Sequence, residues 1–146
     1  MWQYFNFPYF LTLPSFQSRE FPEHHEHGQI WRALEVTFPD PDVVASHSRK
    51  QVYYFDDKYM LRRMDYAPEI IDRSPASHYC FDEVVVGGMT FSTFRRVVAR
   101  VEGVPLVYGP MNTVFRLVFL GIELKEEEGR ESEGDKVWAL TEAPVV

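Results

Sequence analysis

Apolar and polar positions alternate with a period of two along most of the chain, which predicts strands rather than helices. In "QIWRALEVTFP" the residues Ile30, Leu34, Val36 and Phe38 fall on one face, and the run ends at the turn "PDPD". "RKQVYYF" and "YMLRRMDY" flank the polar turn "DDK", which reads as a hairpin. "SHYCFDEVVV" and "MTFSTFRRVVARV" flank Gly87 and Gly88. Paired glycines supply the positive φ angles of a tight turn, so this is the strongest hairpin signal in the chain. "NTVFRLVFLGIEL" predicts a sixth long strand, apolar on both faces at its centre, while "APEIIDRSPA" leaves room only for a helical turn or an irregular crossover. There is no long helical period, no repeat and no glycine-rich phosphate loop. Residues 1–124 are thus expected to form a single β-rich domain. Residues 125–136, "KEEEGRESEGDK", read as an acidic flexible linker, and residues 137–146 as a tail that returns as an edge strand or stays loose.

An antiparallel meander of six or seven such strands twists, and then either closes into a barrel or is covered on one face. Bulky residues on both faces favour a curved sheet or a lipocalin-like barrel around an apolar cavity, the usual place for a hydrophobic ligand. Composition sharpens this. Of 146 residues, 45% are hydrophobic and 16% aromatic, more aromatic than a small core needs, which points to a cavity or a sticky surface. The net charge of −7 disfavours a nucleic-acid backbone or an anionic membrane as partner. Cys80 is the only cysteine, which excludes an intrachain disulfide and a thiolate metal cluster and fits a reducing, cytoplasmic compartment. The N-terminal run "MWQYFNFPYFLTLPSF" lacks a basic n-region, an uninterrupted apolar stretch and a cleavage site, so it reads as an entry strand or short helix. It either plugs the core or, through Trp2, Tyr4, Phe7 and Phe10, covers a ligand. No segment approaches transmembrane length, so membrane insertion is not expected. Free sheet edges carrying aromatic residues tend to pair, so a homodimer is expected.

The order of residues in "FLTLPSF", "GQIWRALEVTFPD", "VVASHSRKQVYYFDDKYMLRRMDYAPEII" and "SPASHYCFDEVVVGGMTFSTFRRVVAR" resembles a poorly characterised family of bacteria and filamentous fungi. Its pattern is similar to "W-x-x-L-x-V-x-F-P", "A-T-H-S-x-x-Q-x-Y-Y-F-D", "L-L-R-R-x-D-Y", "A-x-H-Y" and "P-T-x-R-R-V". The resemblance spans about Phe10 to Glu123 and implies a β-rich, lipocalin-like or half-barrel fold. By analogy it implies kinship with small cofactor-free pericyclases of fungal natural-product pathways, which fold a terpenoid or polyketide for a Diels–Alder-type cyclisation. The chain departs from the pattern at Ser92-Thr93, where the family carries "PT", and at Met64, where it carries histidine.

Candidate chemistry centres on the polar insert in "YMLRRMDY". Strict alternation puts Tyr59, Leu61, Arg63 and Asp65 on one face and Met60, Arg62, Met64 and Tyr66 on the other. Arg63 and Asp65 read as an ion-pair network on the outer face, with Arg95 or Arg96 as partners. Arg62, flanked by apolar side chains, either snorkels to a rim or points into an apolar hollow, where it would grip a carboxylate or polarise a carbonyl. Arg62, Tyr66 and His78 are therefore the candidate catalytic donors, and Trp31, Tyr54, Met64 and Phe94 the candidate substrate walls. His47 and His78, in family-like motifs, are either hydrogen-bond donors of a site or satisfied core residues. In "EHHEH", His24, His25 and His27 read as a solvated loop, with a metal site the minority alternative. Cys80 reads as buried packing. No metal spacing, phosphate loop or dinucleotide fingerprint is present, so no cofactor is expected. Two functions remain open: a cofactor-independent cyclase or isomerase acting on a hydrophobic precursor, and a non-catalytic carrier of an apolar small molecule.

Overall fold

A computed structural model describes residues 6–40, 42–69, 72–109, 113–126 and 138–140. A short 3-10 turn, Tyr9–Thr12, precedes ten strands: β1 (Gln17–Glu26), β2 (Gln29–Thr37), β3 (Lys50–Phe55), β4 (Leu61–Tyr66), β5 (Ala76–Val86), β6 (Met89–Val101), β7 (Val104–Pro105), β8 (Thr113–Val118), β9 (Leu124–Glu126) and β10 (Trp138–Leu140). Among the described residues there is no α-helix, and no helix long and apolar enough to cross a membrane. Strands β1 to β7 follow one another in sequence order, and β8 adds to the same edge of the eight-stranded sheet by pairing with β6. Every pairing is antiparallel. The sheet does not close, so the expected meander is present as an open sheet and not as a barrel.

Turn chemistry sets the register. Gly87 (φ +57°) and Gly88 (φ +80°) join β5 to β6 with Val86 opposite Met89, as the paired glycines predict. His27 (φ +50°) and Gly28 (φ +75°) make a second two-residue turn, with Glu26 opposite Gln29. Between β3 and β4, the Asp56 carboxylate accepts bonds from the Lys58 and Met60 amides, both at 2.9 Å, and Tyr59 adopts φ +61°. Tyr59 and Met60 therefore belong to the turn, and β4 begins only at Leu61.

Two cross-strand rows show why both faces carry large side chains. One runs Leu34, Tyr53, Met64, His78, Val97 and Phe115. The N-terminal segment covers this face: Phe7 stacks on Tyr53 with ring centroids 4.4 Å apart, Phe10 meets Phe7 edge-on, and Phe16 and Phe38 pack against Phe10 and each other. Phe7 and Phe10 thus plug the core, whereas Trp2 and Tyr4 lie outside the described residues. The row on the opposite face runs Ala33, Tyr54, Arg63, Tyr79, Arg96 and Arg116, and holds a second cluster of Trp31, Ala33, Tyr54, Tyr79 and Val98. The end of the β1–β2 hairpin folds over this second face, since Glu26 on β1 reaches Arg63 on β4 and Tyr79 on β5.

The two edges differ. β1 is polar and carries Pro22 and a register shift between Phe21 and His24, features that blunt an edge. Exposed Val114, Val118 and Leu120 lie along and just beyond β8. Trp138–Leu140 pairs with Leu124–Glu126 as a separate two-stranded unit. The acidic linker expected at 125–136 falls, from residue 127 onward, outside the described residues.

Candidate functional site

The candidate site lies on the second face, where ladder geometry stacks charged and aromatic side chains. Arg63 and Asp65 are both on β4, two residues apart, so they share a face. Both are about 97% buried. Arg63 donates from Nη2 to Asp65 Oδ2 at 3.0 Å and from Nη1 to Glu26, and its guanidinium lies 4.0 Å from the Tyr54 ring centroid. Asp65 also accepts from the Ser77 hydroxyl (2.6 Å) and the Tyr54 hydroxyl (2.9 Å), and Arg100 approaches to 3.5 Å. Glu26 accepts from the Tyr79 hydroxyl at 2.6 Å and meets His24 at 2.9 Å. Two carboxylates facing two guanidiniums make the cluster neutral overall. Its dense bonding is what a buried ionic network requires.

The electrostatics follow from this packing. Burial opposes ionisation of Glu26, but bonds from Tyr79 and His24 and the charge of Arg63 outweigh it and hold the carboxyl below its ordinary value. Burial and the Glu26 hydrogen bond push the Tyr79 hydroxyl well above the usual tyrosine range, and burial together with the Asp65 charge raises Tyr54. Both phenols stay protonated donors.

Next to the cluster is a cavity of about 500 Å³, with Trp31, Tyr79, Phe81 and Val107 as apolar wall and His27, Gln29, Arg62, Arg96 and Tyr108 among its polar lining. Arg96 anchors its far side, donating to Thr113 Oγ1 (2.9 Å) and the Val107 carbonyl (2.7 Å). Phe81 stacks on Phe94 with centroids 5.5 Å apart.

The seven residues expected at a site do not come together. Trp31 and Tyr54 pack on the second face with ring centroids 6.4 Å apart, and Trp31 lines the cavity. Met64, Tyr66 and His78 lie on the opposite face within the core, and Phe94 reaches the cavity only through Phe81. Burial, aided by the Arg95 charge, pushes His78 down to about 3, so its imidazole is neutral. Arg62 lines the cavity but is not an unpaired cation in an apolar hollow: it is ion-paired to Asp56 (2.6 Å) and Glu83. It occupies an irregularity where Tyr54 opposes Arg63 and Phe55 opposes Leu61, which breaks the strict alternation and places Leu61 in the core with Met64. The Arg63–Asp65 network is buried rather than outward-facing, and its partners are Glu26 and Arg100 in place of Arg95 or Arg96. The "EHHEH" segment is strand β1 and its hairpin turn, not a solvated loop. No group of three or more His, Cys, Asp or Glu side chains suited to a metal occurs among the described residues. Cys80 is a buried free thiol, raised by burial.

Glu26, Ser77, Tyr79 and Arg100 belong to the cluster and escaped the sequence reading. The available signal was His27-Gly28, a two-residue turn flanked by residues that pair. Its strand was hard to see because an edge strand is mostly polar. Comparison with known proteins finds no matching family model, no matching curated protein and no matching solved structure.

Proposed function

We propose that the protein binds an uncharged hydrophobic small molecule, of terpenoid or polyketide ring type, in the cavity beneath the β1–β2 hairpin. The observation that carries this reading is the pairing of an aromatic-walled cavity of about 500 Å³ with a neighbouring cluster whose charges cancel internally. A ligand there meets ring faces and already engaged donors, which suits an apolar body with few polar groups. The choice of ring class rests on the family resemblance of the sequence.

A second reading is a cofactor-independent cyclase or isomerase acting in the same cavity. It is favoured by Tyr79, a cavity-lining residue whose hydroxyl stays protonated while it donates to Glu26. Exchanging its bond to Glu26 for one to a substrate carbonyl, that single O–H donor withdraws electrons from a dienophile, while the walls hold a flexible chain in its reactive fold.

Titration with a neutral polycyclic probe, progesterone, followed by tryptophan fluorescence and calorimetry tests the binding reading. Binding is expected in the wild type and lost in Phe81→Asp, a partly exposed wall position. Equal affinity in both proteins, or no binding of progesterone or Nile red, refutes it. Turnover of linear polyene precursors against a no-protein control, lowered ~10–1000-fold by Tyr79→Phe, supports the enzyme; an unchanged rate in that variant refutes the role of Tyr79.

A further inference from the structure

A different cavity, of about 230 Å³, lies between the N-terminal segment and the first sheet face. Its apolar lining includes Phe7, Pro8 and Leu61, and its polar lining includes Ser92, Glu83 and Arg95. Arg95 is 2% exposed, and both its Nε and Nη1 are buried without a hydrogen-bond partner among the described residues. No carboxylate among those residues lies within ion-pair distance of it. Its cross-strand neighbours are Cys80 and Leu117, neither of which supplies an anion. The Phe119 ring, 5.9 Å away, offers only a weak cation–π contact. Glu83, the one acid among the described residues lining the cavity, is already committed to Arg62.

A buried guanidinium without a counter-charge is strongly unfavourable, because its desolvation is not offset by an opposite charge. Arg63 shows the ordinary solution on the opposite face, with two carboxylates against one guanidinium. Arg95 has the same burial, no such partner, and an open cavity in front of it. Guanidinium geometry matches a carboxylate in particular, since two parallel N–H donors meet two oxygens.

We propose that this second cavity binds a small organic carboxylate, its anionic end on Arg95 and its aryl or alkyl body against Phe7 and Leu61. The site is separate from the cavity under the β1–β2 hairpin and does not depend on that cavity's function. Its size suits a single ring or a short chain, not a polycycle. The Ser92 hydroxyl supplies a further donor, and Glu83, held by Arg62, disfavours a dianion such as phosphate.

Benzoate, hexanoate, inorganic phosphate and the neutral isostere benzamide serve as probes in thermal-shift and calorimetric titrations of the full chain. The proposal expects benzoate or hexanoate to raise the melting temperature with saturation, and benzamide to bind at least ~10-fold more weakly, because a charge-assisted bond is lost. Arg95→Met should abolish the carboxylate response while melting no lower than the wild type, and Arg95→Lys should retain part of it. In the wild type, the Arg95 Nε resonance should shift on adding benzoate. That readout stands even if the methionine variant fails to fold. Equal binding of benzoate and benzamide, a benzoate response that survives Arg95→Met, or no response of any Arg Nε resonance to either carboxylate overturns the proposal. A response to phosphate alone overturns the carboxylate assignment.

Discussion

His78 offers a quantitative test of the packing. Its ring sits in the row between Met64 and Val97, 6.3 Å from the Tyr66 ring and 6.4 Å from that of Phe115. Burial and the nearby Arg95 charge hold it neutral down to about pH 3, against an ordinary value of 6.5. Below pH 6.5 the unfolded chain therefore binds a proton that the folded chain refuses, and stability falls with pH. Each pH unit removes about 1.4 kcal/mol, so about 2 kcal/mol is lost by pH 5 from this one group. For a domain of this size that is roughly 4–8 °C in melting temperature. Glu26 does not confuse the window: its depressed carboxyl contributes stability that is lost only as pH falls below the ordinary 4.5. His47, also lowered by burial, acts in the same direction as His78 but is common to both proteins compared. Urea unfolding of wild type and His78→Gln between pH 7.5 and 5 is the assay. The variant's absolute stability is immaterial, since the pH slope is read. Wild type should lose about 2 kcal/mol more than the variant over that range. Parallel slopes would refute the claim that packing excludes the imidazolium, and with it the view of His78 as a structural group rather than a base.

Arg63→Leu should lower stability by about 3–5 kcal/mol, because it leaves the buried Asp65 carboxylate short of its counter-charge. Arg62→Leu, at a quarter-exposed ion pair, should cost about 1 kcal/mol or less, and thermal melts of the two variants should rank them so. Light scattering at micromolar concentration is expected to report a homodimer formed through the β8 edge, and Val118→Lys to give a monomer; a wild-type monomer would count against edge pairing. Dialysis against EDTA is expected to leave both melting temperature and progesterone binding unchanged. A loss restored by zinc would instead place a metal at His24, His25 and His27.

The hairpin turns were legible because glycine pairs and an acidic turn act locally, within a few residues. That gave Gly87-Gly88 its two-residue turn and β3 and β4 their pairing. What stayed hidden depended on events between distant strands. Alternation alone could not reveal that Arg62 sits at an irregularity, since inserting one residue reverses the faces of everything before it. Tyr66, Met64 and His78 looked equivalent to Trp31 and Tyr54 because both faces of the sheet are buried, one by the N-terminal aromatics and one by the hairpin end. Burial on both faces removes the polar-out signal that usually tells them apart. β1 was hidden for the opposite reason: its polar residues suit an edge, and only the docking of Glu26 onto Arg63 and Tyr79 gives the segment its meaning.

That docking has a kinetic consequence. Along its length the β1–β2 hairpin is fixed by backbone pairing of β2 to β3, but its tip is fastened across the sheet by side chains, Glu26 on Arg63 and Tyr79, and His24 and Trp31 against Tyr54. His27, in that turn, and Gln29, just after it, line the cavity. Release of these side-chain contacts would free the tip while β2 stays paired to β3, so the rate at which a guest enters and leaves is expected to follow the breathing of this clasp and not the stability of the sheet.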